Sequence, residues 1–223
     1  MHFKFLSLCI IIENMEEKLT ITAIEPQKKK KDRYNVFADG EYVASLGAEA
    51  IVRTGLKTGA VISQGALSSA VLADNVQYAF DSAVALLAHS MRTRGELEKR
   101  LREKGIADAA IEQAMAKLAS YGYVDDAAYA KEFVQSAMHT GRWGRLAVAH
   151  RLYEKGIERS VIDEAMAVYT DEDEKRIARR QLAAVPAKPG NDAHKQRQKS
   201  YAVLSRHGFS YDIISALLSE ADD

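Results

Sequence analysis

The chain has 223 residues, 47% hydrophobic and 28% charged, enough to bury an apolar core in one large domain or two small ones. Lys plus Arg and Asp plus Glu both number 31, so the net charge is zero and the overall balance argues neither for nor against a nucleic-acid partner. The single cysteine, Cys9, excludes an internal disulfide framework and fits a reducing, cytoplasmic setting.

The first residues, MHFKFLSLCIIIENM, have the outline of a short signal peptide. Ser7 interrupts the apolar run, Glu13 ends it, and no small-x-small cleavage site follows. The run is also too short to span a bilayer. Met15 opens a sensible start, MEEKLTITAIE, so residues 1–14 read as an extension or mis-called start, and no membrane association is expected.

Leu19 to Leu46 reads as β. LTITAI alternates, and RYNVFADGEYVASL places two β-rich runs around Asp39-Gly40, a strong short hairpin signal because both turn residues need positive φ. A three-stranded element over residues 15–66 is expected, with Lys28–Lys31 in the connection between the first strand and the hairpin. That lysine run reads as a solvated loop before it reads as a nucleic-acid motif. A short helix over 48–53 ends at Gly55, and Gly59 and Gly65 mark a second loop.

After Leu67 the period is helical, and the chain repeats itself. EKGIADAAIEQAM, from Glu103, returns as EKGIERSVIDEAM, from Glu154, and more loosely as RHGFSYDIISALL, from Arg206. Superposing Gly105, Gly156 and Gly208 aligns Leu101 with Leu152 and Leu204, Ile111 with Ile162 and Ile214, and Met115 with Met166 and Leu218. Each repeat predicts three helices: first helices near 75–90, 126–140 and 172–185, second helices near 94–104, 145–155 and 193–207, and third helices near 108–120, 159–169 and 211–221. The shared glycine is a left-handed residue just past the second helix. For the third helices, Ser210 reads as a good N-cap, whereas Ala107 is poor and Asp108 substitutes.

One such unit cannot cover its own apolar faces, and stacking does. The expected fold is mainly α: tandem three-helix repeats at 67–123, 124–170 and 171–223, in an elongated curved array behind the N-terminal β element. Such stacks present long surfaces, which points to partner binding by a monomer.

YGYVDDAAYAKEFV (Tyr121–Val134), followed by Gly141 and RLYEKGI, resembles the RecX family of recombination regulators, as does RTRGELEKRLREKGI from Arg92. YNVFADGEYV resembles the N-terminal extension of Gram-positive members, so the likeness covers nearly the whole chain from Met15. Ala127-Ala128, after the Asp pair, and Arg142-Trp143-Gly144 depart from the family pattern. The resemblance implies a non-enzymatic regulator that binds the RecA filament on DNA, restrains strand exchange and coprotease work, and belongs to DNA repair, homologous recombination and the SOS response. The alternative is a helical-repeat nucleic-acid binder that acts without RecA on single- or double-stranded DNA.

No catalytic constellation, metal spacing or Walker loop is legible, and no cofactor is expected; the six histidines read as surface or helix-end residues. Asp125 reads as an N-cap, Tyr129 and Phe133 as inward-facing, and the acidic run Asp171–Glu174 as a helix start. The candidate binding residues are cationic. Arg94, Arg145 and Arg197 fall at one repeat register, at the start of each second helix, where a cation opposes the dipole. Arg100 with Lys104, and Arg151 with Lys155, form spaced pairs. Arg142 and Trp143 offer a stacking platform or a half-buried core Trp. Arg179, Arg180 and Lys199 extend a basic stretch: Lys175 to His207 holds nine Lys/Arg against one acid.

Overall fold

The computed structural model describes residues 17–28, 32–186 and 193–220; residues 1–14 and Lys29–Lys31, on which two expectations fall, lie outside them. The chain divides into two units. One takes the described residues up to Ala85 together with Arg100–Ser120; the other takes Leu86–Lys99 and everything described from Tyr121 onward.

The first unit opens with β1 (Lys18–Pro26), β2 (Arg33–Ala38) and β3 (Glu41–Gly47). Asp39 and Gly40 have φ of 50° and 88°, so the tight turn forms as the sequence expects. A fourth strand, β4 (Val61–Ser63), pairs antiparallel with β1 through Leu19 and Ile62, giving the order β3-β2-β1-β4. Three residues between two glycine loops carry too short a pattern to predict a strand. The sheet and α1 (Ala48–Thr54) bury Ile21, Val36, Leu46 and Ala50.

Helix α2 (Gln64–Leu87) starts well before residue 75. Gly65, read as loop punctuation, is its second residue, and Ser63 Oγ accepts from the Ala66 N–H at 3.2 Å to cap it. Asp74, buried on this helix, accepts from the Gly47 N–H and from Arg33, each at 3.0 Å. It ties the helix to the sheet.

The other helices are α3 (Arg94–Glu103), α4 (Asp108–Ser120), α5 (Asp126–Thr140), α6 (Arg145–Glu154), α7 (Arg159–Met166), α8 (Asp171–Ala183), α9 (Ala193–Arg206) and α10 (Tyr211–Glu220). All fall close to the predicted spans. The repeat superposition holds as a burial pattern: Leu101, Leu152 and Leu204 are each 0% exposed, and Ile111, Ile162 and Ile214 are buried with them. Full burial of a leucine is worth about 2 kcal/mol, so these stripes are the repeats' main apolar support. In the second unit the core runs from Val134 on α5 through Leu152, Ile162 and Ile177 to Leu217.

Tyr129 and Phe133 face inward in part: both are half-buried and pack against the core that Ala130, Val134 and Ala137 enter fully. One expectation changes. Ser210 precedes α10, but its hydroxyl makes no hydrogen bond among the described residues; its backbone N–H donates to Glu174 at 3.3 Å.

Gly105, Gly156 and Gly208 have φ of 80°, 79° and 76°, all left-handed. A Cβ at Gly105 meets nothing within 4 Å, whereas one at Gly156 comes 3.0 Å from Gly95 Cα. Gly105→Ala is expected to cost about 1 kcal/mol through backbone strain alone, and Gly156→Ala clearly more. Equal losses in paired urea titrations would contradict the contact at Gly156.

Candidate functional site

Within the second unit the repeats meet through two joints built alike. At the first, α3 begins with a capping box: Thr93 Oγ1 accepts from the Glu96 N–H, and Glu96 Oε2 accepts from the Thr93 N–H, both at 3.2 Å. The Thr93 hydroxyl donates to Lys155 O, just past α6, at 2.5 Å. Gly95 lies against Gly156, where a Cβ would come 2.8 Å from Lys155 O. Asp126 Oδ1 accepts from the Arg94 N–H at 2.8 Å.

The second joint uses backbone directly. The Gly144 and Leu146 N–H groups donate to His207 O and Gly208 O at 2.9 and 3.1 Å. Glu174 Oε1 accepts from the Arg145 N–H at 3.1 Å. So α3 and α6 each set their positive end on the negative end of the next second helix, and a carboxylate from the next first helix takes one free N–H group of each.

The joints change the reading of the arginine register. Arg94 and Arg145 are the first residues of α3 and α6, but Arg197 is the fifth of α9, whose helix starts earlier. The dipole cost inferred from sequence is offset by Asp126, Glu174 and the facing carbonyls. The guanidiniums are also engaged: Arg94 with Glu98 at 2.7 Å, Arg145 with Asp171 at 2.7 Å, and Arg197 with Leu218 O at 2.8 Å.

The remaining candidates separate by partner. Arg100 pairs with Glu103, Arg179 with Glu220, and Lys155 with Glu96 at 2.6 Å. Burial works to lower the Lys155 pKa, but Glu96 and Tyr129 outweigh it and hold it above its ordinary value. Arg180 donates to Thr140 O at 2.6 Å and Lys199 to Pro186 O at 3.1 Å, so neither charge is neutralised by a carboxylate. Lys104 is exposed, with no acidic partner among the described residues.

Arg142, Trp143 and Arg151 come together. The Arg151 and Arg142 guanidiniums lie over the indole at 3.8 and 4.8 Å from its centre. His207 meets the ring edge-on at 5.5 Å. Trp143 is half-buried against the core, and its carbonyl accepts from the Tyr169 hydroxyl at 2.8 Å. Neither arginine has a carboxylate partner among the described residues. Burial, then the Arg142 and Arg206 charges, lower the His207 pKa, as an electropositive patch should. His207 was the part sequence reasoning missed; its only signal was a position two residues before Phe209 in the loosest repeat copy.

The two Asp residues and Glu174 of the acidic run act as caps, while α8, which the run begins, is capped by Thr170. Asp125 accepts from the Ala128 N–H at 2.9 Å, as expected, while Asp126 serves α3. Glu174 is 2% exposed, and burial holds its pKa above the ordinary carboxylate value against the pull of two N–H bonds. The folded state therefore binds the Glu174 proton more tightly than the unfolded chain, so this residue's contribution to stability falls as pH rises above about 4.5. Glu174→Gln keeps an acceptor for both N–H groups and removes that titration. Denaturation midpoints from pH 4 upward should show the variant gaining on the parent as pH rises; parallel profiles would contradict the assignment.

No group of three or more His, Cys, Asp or Glu among the described residues could hold a metal ion, and no described helix is long and apolar enough to cross a membrane. Small sheet, tandem helical triplets and repeated glycine joints define a three-helix-repeat protein with an N-terminal β element. Three family models match in chain order: the regulatory protein RecX N-terminal domain at residues 19–63, the RecX first three-helix domain at 79–118, and the RecX second three-helix domain at 125–166. The regulatory protein RecX of Clostridium acetobutylicum is 36% identical over 211 residues, 92% of this chain and 97% of the relative. That of Bacillus velezensis is 30% identical over 91% of this chain and 77% of the relative. A crystal structure of regulatory protein RecX superposes with a TM-score of 0.60 at 26% identity, covering 88% of this chain and 97% of that one. The chain belongs to the RecX family of regulatory proteins.

Proposed function

We propose that this protein binds the RecA recombinase filament on DNA and restrains its ATPase, strand-exchange and coprotease activities as a non-enzymatic cytoplasmic regulator. Membership of a regulatory family over most of the chain carries the reading. The organisation we attach to it is a β-rich module over 15–66 followed by repeats over 67–123, 124–170 and 171–223. The binding surface we assign first is Arg142, Trp143 and Arg151, because both guanidiniums lack a carboxylate partner among the described residues and the indole holds them in place. Arg180, Lys199 and Lys104 are secondary contributors. The Arg94, Arg145 and Arg197 register joins them only if a partner competes for guanidiniums already engaged within the chain.

Co-sedimentation with single-stranded DNA, with and without RecA, separates this reading from a nucleic-acid binder that needs no RecA. Retention only with RecA is expected, and strand-exchange inhibition should persist at a few hundred millimolar salt, where pure phosphate binding collapses. Equal retention without RecA would overturn the reading. Arg142→Gln with Arg151→Gln should weaken filament binding about tenfold or more. The Arg94, Arg145 and Arg197 triple change to Gln should weaken it less. The reverse order would move the surface to the arginine register.

A further inference from the structure

The sequence EKGI occurs twice, at Glu103–Ile106 and Glu154–Ile157, and both copies end a second helix in the same way. Gly105 and Gly156 are left-handed, with φ of 80° and 79°. The Lys104 and Lys155 N–H groups donate to Leu101 O and Leu152 O at 3.1 and 3.2 Å. The Ile106 and Ile157 N–H groups donate to the same two carbonyls, both at 3.3 Å. These are two helix ends of one sequence and one geometry.

Their surroundings differ. The Gly156 end is covered by the start of α3, which makes three contacts with it. The Thr93 hydroxyl donates to Lys155 O, Gly95 packs on Gly156, and Glu96 Oε1 meets Lys155 Nζ at 2.6 Å. The Gly208 end is covered too, by Gly144 and the N–H groups that begin α6. The Gly105 end is open. A Cβ there meets nothing within 4 Å, and the Lys104 and Gly105 carbonyls accept no hydrogen bond among the described residues. Lys104 is exposed, where Lys155 and His207 at the same register are half-buried, and it has no acidic partner among the described residues. So the same seat occurs three times, and in the chain itself two of the three are taken.

We propose that the Gly105 end of α3 is a docking seat for the N-terminus of a helix from a partner protein, one that begins Ser/Thr-x-Gly-Glu. Each position follows from the filled copy. The hydroxyl donates to Lys104 O, as Thr93 does to Lys155 O. The glycine is required because a Cβ at Gly95 would come 2.8 Å from Lys155 O. The glutamate closes the partner's own capping box and meets Lys104, as Glu96 meets Lys155. The positive end of the incoming helix then faces the negative end of α3. A second copy of this chain does not supply the occupant: no other stretch of the sequence reads Ser/Thr-x-Gly-Glu, and Thr93–Glu96 is already seated on its own Gly156. The inference does not rest on the filament reading.

The test is a titration of the ¹⁵N-labelled full chain with a peptide copy of Thr93–Arg102, acetylated and amidated. Arg102→Lys in the peptide allows a side-chain lactam to the Glu98 position, which holds so short a segment helical. The peptide should shift the backbone amides of Lys104, Gly105 and Ile106 and leave those of Gly156 and Ile157 in place, because that seat is filled. The same peptide with Gly95→Ala should bind about tenfold more weakly. In the chain, Lys104→Glu should weaken the parent peptide about tenfold or more by setting like charges together, with the spectrum otherwise that of the parent. Gly105→Asn keeps a residue that tolerates the left-handed conformation and fills the seat with a side chain, so it should abolish the shifts. Silence at Lys104, Gly105 and Ile106, equal shifts at Gly156, equal binding of the alanine peptide, or parental binding by either chain variant would each overturn the proposal. No filament is present in the titration, so its outcome leaves the regulator reading as it stands.

Discussion

Gly144→Ala should be among the most destabilising single substitutions in this protein, at about 3 kcal/mol. A Cβ at that position would come 2.5 Å from Phe209 N and 2.6 Å from Gly208 C. Those atoms are backbone, and no rotamer change moves them aside. Making room means opening the joint, which lengthens the bonds from Gly144 N–H to His207 O and from Leu146 N–H to Gly208 O. Gly144 itself has φ of −74°, so none of the cost is conformational strain at the residue. Gly105→Ala is the matched contrast, with strain and no contact. Urea denaturation of both variants settles the matter: a Gly144→Ala loss no larger than that of Gly105→Ala would mean that the joint is not closed in solution.

Glu174→Ala is expected to cost about 2–4 kcal/mol at neutral pH. The loss does not come from an ion pair. It comes from two helix-end N–H groups, those of Arg145 and Ser210, left without their acceptor in a site where the carboxylate is 2% exposed. Water entering the vacated space would return part of that cost, which sets the lower end of the range. Glu174→Gln isolates the acceptor from the charge. At neutral pH it should lie close to the parent, because the amide oxygen keeps both N–H bonds and the desolvated charge is gone. Thermal melts in which Ala and Gln lower the midpoint equally would show that the charge, not the acceptor, holds the joint.

The repeat was legible because its signal is local and periodic. Leu101, Leu152 and Leu204 each follow from a glycine that ends a helix four residues later, and each is fully buried. The Asp39-Gly40 turn and the Asp125 cap were legible for the same reason: the residues that decide them are adjacent in the chain. Thr93-Arg94-Gly95-Glu96 carried an equally local capping-box signal that the repeat alignment passed over.

The candidate site was legible only as a composition of cations. Whether a given arginine has a carboxylate partner depends on residues far along the chain: Arg145 meets Asp171, Lys155 meets Glu96 and Arg179 meets Glu220. No periodicity encodes such meetings. By itself, then, the sequence determined the helical triplets, their core stripes and the family resemblance, because spacing along one helix fixes which side chains share a face. Only the tertiary structure decided which glycines are joints, which acid is buried beneath two helix ends, and which cations lack an acidic partner. The physical reason is that hydrogen bonds and ion pairs act over a few ångströms in space, and packing between helices, not order in the chain, brings those atoms together.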